Sequence, residues 1–369
     1  MLNAYSNCRI FTGDNWLEDH VVLSENGRIT DIVTQRTIPP HAIIHDLNGA
    51  DLVPAFIDLQ IYGGNGRYFP SLPDVESIKA TYEYSKAGGA AYFMITIPTH
   101  SPEFILRSIA AVKEYWEQGG EGCLGLHLEG PYISPEKNGA HIPEYIKAPR
   151  PEDIDWVLTH GAGIVKMMTV APERVAPELI LRLQDAGVLV SAGHSNGTYG
   201  QLYQSFENGI TTCTHLFNAM SQLQSRAPGM VGAIYDHPQV HASIVADGIH
   251  VDYNTIRISK KIMANRLFLI TDAVAASDGP DYAFHWNALS GRYEDAKGTL
   301  SGSALTMLEA VKNCIAQVGI APDEALRMAA AYPAVVAGLS AELGRIAPGF
   351  RTAMLALDES WAFQQLILS

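Results

Sequence analysis

The chain has 369 residues, 47% of them apolar and 17% charged, which allows a large buried core and suits a barrel of eight strands and helices with an appendage. Its 25 Lys and Arg against 39 Asp and Glu leave a net charge of −14, which argues against nucleic acid as a partner because phosphate backbones demand clustered cations. Any anionic small molecule would have to be captured by local positive groups, since the overall field repels it.

The first residues lack the basic and apolar regions of a signal peptide, and no apolar run approaches the roughly 20 residues of a membrane span. No membrane partner is therefore expected. The four cysteines, Cys8, Cys123, Cys213 and Cys314, form no CxxC pair, so reduced thiols and a cytoplasmic location are expected.

Residues 1–50 carry short strand-like pieces, 8–11, 21–23 and 28–33, broken by the turn signals Gly13-Asp14 and Asn26-Gly27. The segment 344–358 is again turn followed by strand. The expectation is a small β-sandwich domain built from 1–50 and 340–369, with a second domain, 51–339, inserted between its parts.

From Asp51 the pattern alternates. Strand candidates end near Gln60, Thr99, Glu129, Thr169, Ala192, His215, Ala246 and Thr271. Helical stretches lie between most of them: Val75–Ala87, 103–118, 174–186, 199–208 and 254–264. Near-continuous apolar strands separated by helices indicate a parallel sheet covered on its outer face, and eight of them fit an α/β fold of the (β/α)8 TIM-type barrel. A Rossmann sheet would want G-x-G-x-x-G after the first strand, and Gly63-Gly-Asn-Gly66 lacks that spacing.

In such barrels the active site lies at the carboxyl ends of the strands. Glu129, His194 and His215 each sit just past a short apolar run, 123–128, 187–190 and 211–214. One carboxylate and two imidazoles delivered this way form a catalytic metal site with a position left open for water, which points to a hydrolase. The seventh and eighth strand ends add Asp247, His250 and Asp272. Polar residues at five strand ends are poorly explained as core residues, because each one buried without a partner costs about 1–3 kcal/mol.

The motifs are H-L-E-G-P at 127–131, N-G-A-H at 138–141, A-G-H-S at 192–195, T-H-L-F-N-A-M at 214–220, A-D-G-I-H at 246–250 and L-I-T-D-A at 269–273. Together they resemble the amidohydrolase superfamily and, within it, the family of N-acetylglucosamine-6-phosphate deacetylases, over essentially the whole chain. The resemblance implies hydrolysis of N-acetyl-D-glucosamine 6-phosphate to D-glucosamine 6-phosphate and acetate by a metal-activated water. It implies one divalent metal per subunit on Glu129, His194 and His215. Zinc suits that donor set, and iron, cobalt or nickel would also fit. It makes Asp272 the acid/base and His141 a sugar contact that helps polarise the carbonyl.

Ala140, Asn218, Ala219 and Asp247 become substrate contacts by the same resemblance, and Leu300, Ser301 and Gly302 a loop that closes over the sugar. Arg226 and His250 would receive the 6-phosphate, Arg226 through its planar fork. In the family a neighbouring subunit completes the phosphate site, so a homodimer is expected.

Many members of the superfamily carry His-x-His at the first strand end for a second metal. Here Gln60 and Tyr62 stand in that segment, so a single metal is expected, and Tyr62 packs against the sugar or walls the pocket. Lys166, on the fourth strand, is expected to pair inside the barrel with Glu129 or Asp272. Cys213 is read as a structural thiol. The readings left open are a deacetylase of another N-acetylhexosamine 6-phosphate, a cyclic-amide hydrolase, and a catalytically silent sugar-phosphate-binding protein.

Overall fold

A computed structural model describes residues 1–279 and 281–368. Eight parallel strands follow one another around a barrel: β1 (Phe56–Ile61), β2 (Ala90–Ile97), β3 (Cys123–Glu129), β4 (Val165–Val170), β5 (Leu189–Ala192), β6 (Thr212–Cys213), β7 (His241–Ile244) and β8 (Leu267–Leu269). The strand ends lie within about two residues of those read from the sequence. The helices Val75–Ala87, Pro102–Glu117, Pro177–Asp185, Tyr199–Glu207 and Tyr253–Met263 correspond to the five expected ones. Pro151–His160, Gly229–Asp236, Met307–Asn313, Pro322–Ala329 and Ala331–Val336 are additional.

The barrel closes just beyond β1 and β8. Asp272 N–H donates to Gln60 O at 3.0 Å and Tyr62 N–H to Ala273 O at 2.8 Å. The Asp58 carboxylate, fully buried, accepts from Thr271 N (3.2 Å), Thr271 Oγ1 (2.5 Å) and Gln60 N (3.2 Å). Burial pushes Asp58 up to about 6, against the hydrogen bonds from Thr271 and Gln60.

Inside the barrel a layer of hydroxyls spans the strands below the mouth. His127 Nε2 meets Thr169 Oγ1 at 2.7 Å, Thr169 Oγ1 meets Thr214 Oγ1 at 2.8 Å, and Ser191 Oγ meets Thr214 Oγ1 at 2.6 Å. Thr169 thus faces inward, and strand alternation turns Lys166 outward. The expected pairing of Lys166 with Glu129 or Asp272 is not what forms. Its stem lies instead on Gly125, where a Cβ would come within 2.4 Å of Lys166 Cγ.

The two chain ends meet in one hydrogen-bonded sheet of seven strands. In it Ile43–Pro54 runs parallel to Asn3–Phe11 and antiparallel to Ala353–Leu357. Alternation sends Phe11, Val53 and Leu355 into the barrel's core and Ile10, Leu52 and Met354 into a separate cluster on the other face. Ile43–Pro54 continues past residue 50 and leads into β1 across Ala55 alone. Ser369, the last residue of the expected β-domain, lies outside the described residues.

Replacing Asp58 by Ala strands two buried backbone N–H groups at the closure. Chemical denaturation should show a loss of about 1–3 kcal/mol for each stranded donor.

Candidate metal centre and active site

Three of the key side chains leave their strands through backbone turns that L-residues rarely adopt. His194, His215 and Asp272 have φ of 47°, 37° and 54°, and Ala219, on the loop after β6, has φ 48°. Such conformations cost roughly 1–3 kcal/mol each and gather at functional sites. After β5, the turn is braced by Glu173, which accepts from Ser195 Oγ at 2.7 Å and from Asn196 N at 2.8 Å. A capping box then starts the next helix, with Thr198 and Gln201 exchanging side-chain-to-backbone bonds.

Glu129, His141 and His194 offer ligand atoms within 4.8 Å of one another. His215 Nε2 joins them, 2.8 Å from Glu129 Oε1 and 3.1 Å from His194 Nε2. Hydrogen bonds on the far sides of the rings separate ligands from donors. His194 Nδ1 must donate to Lys137 O at 2.7 Å, which leaves the Nε2 lone pair facing the centre. His141 Nδ1 accepts from Thr99 N at 3.1 Å, so its Nε2 carries the proton and donates to Glu129 Oε2 at 3.0 Å. By this tautomer argument His194 offers a lone pair and His141 is a donor; His215, whose Nδ1 is buried without a partner among the described residues, joins Glu129 and His194 through an Nε2 that faces both, so these three could hold a cation with His141 beside it. Two imidazole nitrogens 3.1 Å apart and aimed at one carboxylate oxygen are a poor arrangement unless a positive charge lies between them.

Burial alone would raise Glu129. Protonated, His194 by its charge and His141, His194 and His215 by their hydrogen bonds outweigh it and hold the carboxyl well below its usual range, a part that a cation held by the His194 and His215 nitrogens would take over. Asp272 is less compensated. Burial, reinforced by Glu129, Asp58 and Asp247, pushes it up to about 8, against the opposing influence of His215. Gln60 Nε2 donates to Asp272 Oδ1 at 2.9 Å and to Glu129 Oε1 at 3.1 Å, and Tyr62 Oη donates to Glu129 Oε2. Burial and the nearby carboxylates push the Tyr62 hydroxyl well above its ordinary value, which keeps it a donor.

These groups surround a cavity of about 200 Å³ at the barrel mouth. Ala140, Asn218, Ala219, His250, Leu300, Ser301 and Gly302 line it with them. Asn218 Nδ2 is buried with no partner among the described residues. Asp247 stands behind His250. Burial works against its charge, but hydrogen bonds from His250 Nδ1 (2.6 Å) and from backbone N–H groups hold it below its ordinary range. That bond turns His250 Nε2 toward Asp272 Oδ2, 3.8 Å away.

Arg226 does not join this lining. It sits on an exposed loop between β6 and the helix Gly229–Asp236.

The opposite wall was missed in the sequence. A small antiparallel sheet, Ser277–Asp278, Ala283–Asn287 and Arg292–Glu294, lies between β8 and the helix Met307–Asn313. It brings Tyr282 and Phe284 against Tyr62 and Tyr68. The alternation Tyr282-Ala-Phe284-His-Trp286 was the available signal.

Glu173 touches none of the ligand atoms, yet it holds the turn that presents His194. Glu173→Ala should weaken divalent-cation affinity about tenfold, read by competition with a chromophoric chelator.

Residues 52–365 match the amidohydrolase family, and residues 3–52 match the NagA composite domain. The chain is 36% identical to N-acetylglucosamine-6-phosphate deacetylase of Haemophilus influenzae, an alignment covering 95% of this chain and 93% of the relative. It is 31% identical to N-acetylgalactosamine-6-phosphate deacetylase of Escherichia coli O157:H7, over 97% of this chain and 96% of the relative. Its fold superposes on the crystal structure of N-acetylglucosamine-6-phosphate deacetylase from Pasteurella multocida with a TM-score of 0.92 at 34% identity, covering 100% and 98% of the two chains. A Mycobacterium smegmatis deacetylase mutant, solved in complex with N-acetyl-D-glucosamine-6-phosphate, superposes with a TM-score of 0.89 at 30% identity, covering 99% and 97%. Among the described residues no helix is long and apolar enough to cross a membrane. With nearly its whole length matched, a possible metal-binding cluster at the barrel mouth and relatives above 30% identity, this chain belongs to the amidohydrolase family, whose members are metal-dependent hydrolases.

Proposed function

We propose that the protein deacetylates N-acetyl-D-glucosamine 6-phosphate, releasing acetate and D-glucosamine 6-phosphate. The carrying observation is the convergence of Glu129 Oε1, His194 Nε2 and His215 Nε2 beside the buried carboxyl of Asp272. Relatives named for this activity support the substrate.

Glu129, His194 and His215 would hold one divalent cation, with zinc favoured by two imidazoles and a carboxylate. When bound, the cation supplies Lewis acidity toward the amide carbonyl and acidifies a water. A cation held beside Asp272 would favour its ionised form, so that the carboxylate would take the proton of the attacking water and return it to the departing amine. Gln60 fixes Oδ1 of its carboxylate, which leaves Oδ2 toward the cavity. His141 presents an Nε2 proton beside Glu129 and is placed to donate to the carbonyl oxygen. Asn218, with an unpartnered Nδ2, is placed to donate to the sugar, and Leu300–Gly302 close over it.

The phosphate is assigned to His250, held by Asp247, and to Arg226. Because Arg226 lies outside the lining of its own cavity, a second copy of the chain would supply it, as expected for a homodimer.

Acetate release from N-acetylglucosamine 6-phosphate and its galactose epimer tests the substrate, and equal or better turnover of the epimer would reassign it. Asp272→Asn should lower kcat by about 10²–10⁴-fold while metal content stays the same. Chelation should abolish activity, and readdition of a divalent cation should restore it. Arg226→Ala should raise KM for the phosphorylated sugar far more than for the unphosphorylated one. Mixing the Asp272→Asn and Arg226→Ala proteins should restore turnover at substrate concentrations too low for Arg226→Ala alone if the arginine acts across subunits.

A further inference from the structure

His141 can donate from Nε2 only while its Nδ1 stays an acceptor, and Thr99, two residues beyond β2, supplies the donors that keep it so. Thr99 N lies 3.1 Å from His141 Nδ1 and Thr99 Oγ1 2.8 Å from it. A backbone N–H cannot accept, so Nδ1 carries no proton and the hydroxyl donates to it as well. Gly130 leaves the room for that hydroxyl, since a Cβ there would lie 2.2 Å from Thr99 Oγ1.

The carbonyl of Thr99 is taken up by the opposite wall of the cavity. Tyr282 Oη donates to Thr99 O at 2.8 Å. Tyr282 stands just before the strand Ala283–Asn287 of the small sheet, and its own carbonyl accepts from Ser277 Oγ, which meets Ser71 Oγ at 2.7 Å. Ile142, next to His141, packs against the same aromatic cluster. Burial pushes the Tyr282 hydroxyl above its ordinary range, against a hydrogen bond from the Ile142 backbone, which keeps it a donor. With its hydroxyl spent on the backbone, Tyr282 offers the cavity only its ring.

We propose that Thr99 and Tyr282 are positioning residues that fix the tautomer and the place of His141, so that the small sheet must be docked on the barrel mouth before the carbonyl donor is set. This rests on the role of His141 proposed above. It ties that donor to a wall element of the cavity through one backbone peptide.

The test is kcat and KM for N-acetylglucosamine 6-phosphate with the metal-loaded enzyme, together with the imidazole ¹⁵N shifts of His141, assigned by their loss in His141→Ala. The native protein should show one tautomer, protonated at Nε2, and Tyr282→Phe a mixture of two. Tyr282→Phe keeps the ring in the wall, so KM should hold within about twofold while kcat falls about 10–10²-fold. Thr99→Val should lower kcat about tenfold, and Thr99→Ser, which keeps the hydroxyl, should restore it. In a His141→Ala background Tyr282→Phe should cost less than about twofold more, because the group it acts through is gone. Native kcat in Tyr282→Phe, its full loss persisting on top of His141→Ala, or equal losses in Thr99→Ser and Thr99→Val would overturn the positioning role. The shifts separate the two levels of inference. A native protein with the single tautomer but no acetate release overturns the function reading and not the clamp, whereas two tautomers in the native protein overturn the clamp whatever the turnover. Thermal melts control for folding, and if Tyr282→Phe fails to fold, the contrast of Thr99→Val with Thr99→Ser decides.

Discussion

β1 and β8 are neighbours only because the barrel closes, and the buried carboxylate of Asp58 holds them in register. It binds the backbone and hydroxyl of Thr271 from one side and the backbone of Gln60 from the other. Each residue it fixes is next to, or two from, one that faces the cavity: Asp272 beyond Thr271, Tyr62 beyond Gln60. A slip of this seam by one residue would turn Gln60 away from Asp272 and open the wall built on Tyr62. Ser303 lies on the same seam. Its N–H donates to Asp272 O at 2.8 Å, which draws Leu300–Gly302 over the mouth.

Around that seam the protein handles four buried carboxylates in four ways. Asp58 is met by neutral donors, Asp247 by His250, and Glu129 by three imidazoles and a phenol. Asp272 is left nearest to its uncharged state, with carboxylates on several sides. In a chain of net charge −14 this makes the mouth attractive to a cation.

Much of this was legible in the sequence because ligand chemistry and strand ends leave separate marks. Glu129, His194 and His215 combine scarce residue types with a position just past apolar runs. The barrel itself was legible from near-continuous apolar strands alternating with helices. Contacts that depend on facing were less legible. Lys166 was assigned to the barrel interior although Thr169, three residues on, is the residue that points inward. Strand alternation could have shown this, had the inward register been anchored on Thr169 rather than on the lysine's charge. Gln60 and Tyr62 were recognised as non-ligands, but their bridging of Glu129 and Asp272 requires the closed barrel, which joins residues more than two hundred positions apart. The aromatic wall from Tyr282 and Phe284 was missed because its strands are short and lie outside the barrel's repeating pattern.

The left-handed turns at His194, His215 and Asp272 set folding and function against each other. A chain selected only to fold would do better with glycine at each, which would remove the backbone strain and the crowding of lone pairs together. The easiest stabilising drift available to this barrel would therefore dismantle its chemistry first and leave the fold intact. Inactive barrels that outlast their parents in a heat challenge are the natural by-product of such a design.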